Sequence, residues 1–184
     1  MTAPRALADL SGEDRRLVEL ALAASGNAYA PYSGFAVGAA VATSDGRTYT
    51  GANIENASFG LTICAEMSAL AAANAAGDLK LAAIALVGHQ FLEPVEASQL
   101  VTPCGRCRQL IFEASQLAGV DARVLCASGD LSKIEEFRIS ELLPEAFGPA
   151  NLGFDKAWPD MQKRLHERVE QLSKARAKIA ALAR

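Results

Sequence analysis

The chain has 184 residues, of which 51% are hydrophobic and 21% charged, with a formal net charge of −3. That length holds one domain with a substantial core, and the composition is globular rather than disordered. A slightly acidic chain lacks the global field that attracts a polyanion, which argues against a nucleic-acid partner. No apolar run is long enough to span a bilayer, which argues against a membrane partner.

With Asp9, Glu13 and Asp14 close behind Met1, the N-terminus lacks the apolar stretch of a signal peptide. The expected compartment is the cytoplasm. There, four cysteines serve as metal ligands or buried thiols rather than disulfides.

Ser11 caps a predicted helix that runs to about Asn27, with Leu17, Leu20, Ala21 and Ala24 on one face. Ala30 to Gly34 reads as a loop. Phe35–Ala42 and Arg47–Ile54 read as strands joined by a hairpin at Asp45-Gly46. Leu61–Ala76 is alanine-rich and helical, closed by Gly77. Leu81–Gly88 is a near-continuous apolar run, the mark of a strand buried on both faces. A long loop from His89 to Thr102 follows, with His89 an ordinary surface histidine. Cys104–Leu117 is helical and closes at Gly119. Ala122–Ala127 and Ile134–Ile139 are short strands, and Ser140–Leu143 a short helix ended by Pro144. The order predicts an α/β fold, an α/β/α sandwich with a mixed five-stranded sheet covered by helices on both faces.

Beyond Asn151 the pattern changes. Trp158, Met161, Leu165, Leu172, Ile179 and Leu182 follow at alternating three- and four-residue steps, interrupted by Arg168 and Ala175. This predicts a C-terminal amphipathic helix, either a coiled-coil partner or a helix packed onto its own domain. The expected organisation is a catalytic domain over 1–152 and a helical extension over 153–184.

Two short segments carry the chemistry: Cys64-Ala65-Glu66, and Pro103-Cys104-Gly105-Arg106-Cys107. Three thiolates can hold Zn²⁺ and leave its fourth position open to water. Both segments sit at predicted helix starts, where partial positive charge favours thiolate. A carboxylate two residues after the first ligand, Glu66, can move protons provided it is not itself a ligand. Zinc deaminases of nucleobases use this arrangement. Three thiolates on one Zn²⁺ leave an excess of negative charge, and Arg106 or Arg108 is the local cation to offset it. A solvated surface arginine is the alternative for Arg106. Cys126, in a buried strand, reads as a small core residue. A structural zinc site would need a fourth ligand.

At this point the chain resembles the cytidine deaminase family over roughly residues 13–152. Tyr32-Ser33-Gly34-Phe35-Ala36-Val37-Gly38-Ala39-Ala40, Asn53-Ile54-Glu55-Asn56-Ala57-Ser58 and Leu142-Leu143-Pro144-Glu145-Ala146-Phe147-Gly148-Pro149 resemble three further blocks of that family, in its order. The resemblance implies a zinc-dependent enzyme that deaminates cytidine and deoxycytidine to uridine and deoxyuridine in pyrimidine salvage. Zinc would sit on Cys64, Cys104 and Cys107, with Glu66 as proton shuttle. Asn53 and Glu55 would hold the ribose hydroxyls; a capped turn is their alternative on the residues alone. Phe35 would pack on the pyrimidine, and the Ala65 N–H would meet its carbonyl. Phe147 would reach a neighbouring subunit's site, since the three-cysteine members resemble homotetramers with shared sites.

Three departures stand out. Met67 follows C-A-E where the family commonly has arginine, and Arg106 stands where a small residue is common, so the compensating cation has moved from one helix start to the other. Phe59 replaces a usual tyrosine. The tail beyond Leu152 is additional. The first departure is similar to blasticidin S deaminase, which makes blasticidin S-type or 4-substituted cytosine nucleosides an alternative substrate class. The N-I-E segment argues for the ordinary nucleosides. An alternative of another class is a non-catalytic zinc-binding assembly protein working through the C-terminal helix.

Overall fold

A computed structural model describes residues 4–92, 99–154 and 157–182, with side chains of the last helix described as far as residue 176. The chain divides into two units, residues 1–146 and 147–184.

In the first unit, α1 (Gly12–Ser25) is capped by Ser11, whose Oγ accepts from the Asp14 N–H at 3.2 Å. Strands β1 (Phe35–Thr43) and β2 (Thr48–Ala52) form the hairpin around Gly46, whose φ of 79° suits glycine. Then come α2 (Ala65–Ala75), β3 (Leu81–Gln90), α3 (Gly105–Ala118), β4 (Arg123–Ser128), β5 (Ile134–Arg138) and the short α4 (Ile139–Leu142). The five strands lie in the order β2-β1-β3-β4-β5. Only β3 and β4 run parallel; the other neighbours are antiparallel.

The period-two alternation of the strands sorts the core into two layers. Leu17, Val18 and Ala21 of α1 pack on Ala40, Ala83, Ala85, Val87 and Leu125 on one face. Ala65, Ala69 and Leu70 of α2 and Ile111 of α3 pack on Ala39, Val41, Ile84, Leu86 and Val124 on the other. This is the expected mixed sheet with helices on both faces. Full burial of Val18 is worth about 1.5–3 kcal/mol. Two glycines set the depth of the helices. A Cβ at Gly38 would collide with the α1 backbone at Ala21 and Ser25, and one at Gly51 with the α2 backbone at Ala65 and Ser68. The close approach at Gly51 seats the first turn of α2 against the sheet.

Some boundaries differ from expectation. The second helix begins at Ala65, not Leu61, because Ile63 is extended and forms a β-bridge with Ile54. Strand β3 is two residues longer, since His89 and Gln90 pair with Ala36 and Phe35. His89 is thus a half-buried strand residue, its Nε2 3.0 Å from Ser25 Oγ, rather than a surface loop histidine. Part of the expected loop, residues 93–98, lies outside the described residues. Among the described residues, no helix is long and apolar enough to cross a membrane.

The second unit contains a 3-10 turn at Pro149–Leu152 and the helix α5 (Trp158–Leu182). Trp158, Met161, Leu165 and Leu172 are exposed along α5; the side chains of Ile179 and Leu182 lie outside the described residues.

Candidate metal and nucleoside site

Cys64 is the N-cap of α2 and Cys104 the N-cap of α3, while Cys107 stands in the first turn of α3. The sheet brings these two helix starts together. The three sulfurs lie within 4.8 Å of one another, and the Cys64 and Cys104 sulfurs are 3.9 Å apart and unbonded. Burial is graded: Cys107 is fully buried, Cys64 half-buried and Cys104 exposed. The Cys104 sulfur therefore stands on the open side of the cluster.

Crowding three thiols onto two helix N-termini splits their acidities. A hydrogen bond from Cys107, together with Cys104 and Arg106, lowers Cys64 to about 5. The same hydrogen bond, with burial, pushes Cys107 far up. Three adjacent thiolates cannot coexist there without a cation. A soft divalent ion is what this donor set fits, and sulfur with an open fourth position suits zinc. Among the described residues the metal-holding group comprises these three cysteines alone, without Glu66.

Glu66 follows Cys64 on the first turn of α2 and is only 5% exposed. Burial raises its carboxyl above the usual carboxylate range, and charge on Cys64 adds to the rise; its own backbone N–H works against both. A carboxyl so held binds a proton more readily than an exposed carboxylate does, as a proton shuttle needs. Ala65, between them, is fully buried, and as the first residue of α2 its N–H has no acceptor within the helix.

The two candidate cations do different things. Arg106 is exposed, donates from Nη2 to the Thr62 carbonyl at 2.8 Å, and its charge favours the Cys64 thiolate. Arg108 donates instead to the carbonyls of Pro103 at 2.8 Å and Leu142 at 2.9 Å. It braces the loop before Cys104. Met67 is half-buried. Cys126 is buried in β4, where desolvation pushes its thiol up to about 12, as suits a core residue.

Thr62, two residues before Cys64 in the chain, lines a cleft of about 370 Å³ together with Tyr32, Ser33, Glu55 and Phe59. Its volume lies within the range of small-molecule sites. Glu55 Oε2 accepts the backbone N–H groups of Tyr32 at 2.9 Å and Ser33 at 3.2 Å. A hydrogen bond from the Ser33 side chain, then these two, lower its carboxyl. The rings of Tyr32 and Phe59 meet edge to face with centroids 5.9 Å apart. Asn53 is buried, 8% exposed, and its amide clasps β1: Oδ1 accepts from the Val37 N–H at 2.9 Å, and Nδ2 donates to the Phe35 carbonyl at 3.0 Å. Phe35 opens β1, half-buried, with its ring over Gly88. Phe147 belongs to the second unit and is 61% exposed.

The site thus brings together the cysteines, Glu66, Ala65 and Arg106. Glu55 lies in the cleft, and Asn53, just past the end of β2, is bound to β1. Sequence reasoning passed over Tyr32, Ser33 and Thr62 as lining residues. The signal for the first two was present in the Y-S-G-F block, which reads locally as a loop.

Residues 11–120 match the model of a family described as the cytidine and deoxycytidylate deaminase zinc-binding region. The chain is 44% identical over 133 residues to the cytidine deaminase of Halalkalibacterium halodurans, covering 71% of this chain and 91% of that one. It is 41% identical over 128 residues to a cytidine deaminase of Mycobacterium tuberculosis, covering 68% and 82%. Among solved structures, a cytidine deaminase from Burkholderia pseudomallei superposes with a TM-score of 0.63 at 39% identity, covering 75% of this chain and all of that one. With two helix starts converging on a three-thiol cluster beside a buried carboxyl, and with this likeness along most of its length, the chain belongs to the cytidine and deoxycytidylate deaminase zinc-binding family.

Proposed function

We propose that this protein is a zinc-dependent cytidine deaminase, hydrolysing cytidine and deoxycytidine to uridine and deoxyuridine with release of ammonia. One observation carries the reading: the cluster of Cys64, Cys104 and Cys107 lies open on one side, with the buried Glu66 on the same helical turn as Cys64.

The three cysteines hold the metal. Zinc, when bound, supplies Lewis acidity that makes a water a nucleophile near neutral pH. Glu66 takes the proton that water loses as its oxygen adds to C4, and delivers it to N3 of the ring. Glu66 then carries the remaining hydroxyl proton to the exocyclic amine. The C4–N bond breaks, the carbonyl forms and ammonia leaves. The raised carboxyl of Glu66 suits the first transfer, since burial makes it a better proton acceptor than an exposed carboxylate. The Ala65 N–H is aimed at the pyrimidine carbonyl, and Phe35 packs on the ring.

Glu55 receives the sugar with its second oxygen while Oε2 holds the 32–33 loop. Asn53 contributes its second amide N–H, the first being committed to Phe35. Arg106 offsets the thiolate charge from the α3 side, in place of a cation after Glu66. We assign residues 1–152 to the catalytic domain and 153–184 to an appended helix. Phe59 and Leu61, 75% and 66% exposed beside the sugar cleft, support a homotetramer in which neighbours, Phe147 among them, complete the sites. Four unbonded cysteines, three of them in one metal cluster, support a reducing, cytoplasmic setting.

The test is the loss of cytidine absorbance on addition of the purified zinc protein, with Glu66→Gln beside it. Turnover in the wild type, with its loss in a variant that keeps its zinc, is expected. Equal turnover in the two would overturn the mechanism; none in the zinc-loaded wild type would overturn the function.

A further inference from the structure

The loop that lines the sugar cleft is held from two sides, and the proposed reaction uses only one of them. Glu55 takes the N–H groups of Tyr32 and Ser33, and both bonds converge on one atom, Oε2. A loop fastened at one point can still pivot about it. Its carbonyl groups supply the second attachment, to the end of β3 and the residues just after it. The Gly34 carbonyl accepts from the Phe91 N–H at 3.0 Å, and the Ser33 carbonyl makes a longer contact with Gln90 Nε2 at 3.5 Å. The Gly34 N–H turns inward, to the Ala30 carbonyl at 3.1 Å.

Side chains close the same contact. Gly34 has a φ of 64°, and a Cβ there would stand 2.7 Å from Leu92 Cδ1, 2.9 Å from Leu92 Cγ and 3.2 Å from Gln90 Oε1. Gln90 and Leu92 therefore fill the space that a side chain at position 34 would take. Leu92 stays 68% exposed, so the contact buries little of its own surface. What it supplies is cover for the backbone of Gly34. Strand β3 reaches this point because His89 and Gln90 extend its pairing to Ala36 and Phe35.

The same strand end borders the ring assigned to the pyrimidine. A Cβ at Gly88 would lie 2.8 Å from Phe35 Cε1, so that glycine makes room for the ring. Ser33 joins ring and loop, since its Oγ accepts the Phe35 N–H at 3.0 Å. We propose, resting on the nucleoside deaminase reading of this site, that Gln90 and Leu92 are positioning residues for the nucleoside. They fix the tilt of the 32–34 loop against the end of β3, so that Tyr32 and Ser33 keep lining the cleft and Phe35 keeps its place beside it. Neither Gln90 nor Leu92 is among the residues that line the cleft, so both act through that loop. The three cysteines and Glu66 take their places from α2 and α3 instead. Loosening the clamp therefore raises KM and leaves kcat nearly unchanged, the mark of lost binding rather than lost chemistry.

The test compares Leu92→Ala, Gln90→Ala and Leu92→Met in the full-length zinc protein. Each alanine variant should raise KM for cytidine by about 2–10-fold, the worth of one modest contact, with kcat and zinc content held. Leu92→Met keeps an apolar cover of similar volume and should return KM to the wild-type value. Hydrogen–deuterium exchange reads the loop without turnover. The peptide over residues 30–36 should exchange faster in both alanine variants and at the wild-type rate in Leu92→Met, while the peptide over 65–75 exchanges alike in all. A wild-type KM in either alanine variant would overturn the role of that residue. A fall in kcat at constant KM, or exchange over 30–36 that neither alanine variant alters, would overturn the clamp. An absence of turnover in the wild type would overturn the deaminase reading, and the exchange rates would then decide the clamp alone.

Discussion

Cys64, Cys104, Cys107 and Glu66 all stand on the first turns or caps of two helices seated against one sheet, whereas Tyr32, Ser33, Glu55 and Phe59 stand on irregular segments that hold one another. The metal side takes its geometry from regular backbone. A Cβ at Gly51 would already displace the first turn of α2, and with it Cys64 and Glu66. The sugar side takes its geometry from side chains that bind backbone first: Asn53 clasps β1, and Glu55 clasps the 32–33 loop. The two halves should therefore fail differently. Changes on the metal side abolish chemistry in a protein that stays folded. Changes on the sugar side mix lost binding with lost structure.

The largest expected effect is at Glu66. Replacing a positioned general acid–base group costs about 10²–10⁴-fold in rate, so Glu66→Gln should lose that much kcat with zinc content unchanged by atomic absorption. A companion experiment removes the metal. After chelation the wild type should show two thiols that react with Ellman's reagent in the folded protein, Cys64 and Cys104, while Cys107 and Cys126, both fully buried, react only on unfolding. Zinc restored to the protein should shield both fast thiols. Fast thiols that zinc leaves reactive would mean that the cluster is not the metal site.

Arg106 comes next. A group that steadies metal ligands from behind is worth about 10–100-fold in metal affinity or activity, and Arg106→Ala should fall in that range, with Arg106→Lys recovering part of it. The control is Arg108→Ala, which removes two carbonyl contacts instead and should lower thermal stability. If the two substitutions behave alike, Arg106 is a brace and the charge on the thiolates is offset elsewhere.

Legibility of the sequence follows the same division. The metal cluster was readable because its chemistry is local: a thiol at a helix cap and a carboxylate two residues on lie within a few letters of each other, and helix starts are signalled by composition. The sheet was readable because period two and apolar runs mark strands without reference to neighbours. What failed was set by partners distant in sequence. His89 looked like the start of a loop because only β1 pairs it into the sheet and only Ser25 gives its ring a partner. Leu61 reads as the start of an α-helix because alanine-rich sequence follows it, but it closes a 3-10 turn over Phe59–Leu61, and the bridge from Ile63 to Ile54 keeps the following residues out of α2. For Asn53 the sequence offers a sugar contact or a capped turn, and only the fold shows that its amide also clasps strand β1. Tyr32 and Ser33 line the cleft only because Glu55, more than twenty residues away, pulls their backbone into it.

The smallest expected effects, and the sharpest test of the contrast, lie within the sugar side itself. Asn53→Ala removes two hydrogen bonds from the half-buried start of β1, and leaving such groups unpaired costs roughly 1–3 kcal/mol. Its main signature should be a lower unfolding midpoint in denaturant, with KM rising alongside. Glu55→Gln keeps an acceptor for the Tyr32 and Ser33 N–H groups and should lower the midpoint less than Asn53→Ala does, while KM for cytidine rises. The pH dependence separates them further. The Glu55 carboxyl is lowered in the folded protein, so its contribution to stability is full above the unfolded value and is lost as pH falls through the folded one. Wild type and Glu55→Gln should therefore differ least in acid and most near neutrality, whereas the deficit of Asn53→Ala, which has no titrating group, should stay constant across the same range. A Glu55→Gln deficit equally flat with pH would show that the carboxylate charge does not hold the 32–33 loop, and the cleft would then owe its shape to the Tyr32–Phe59 contact.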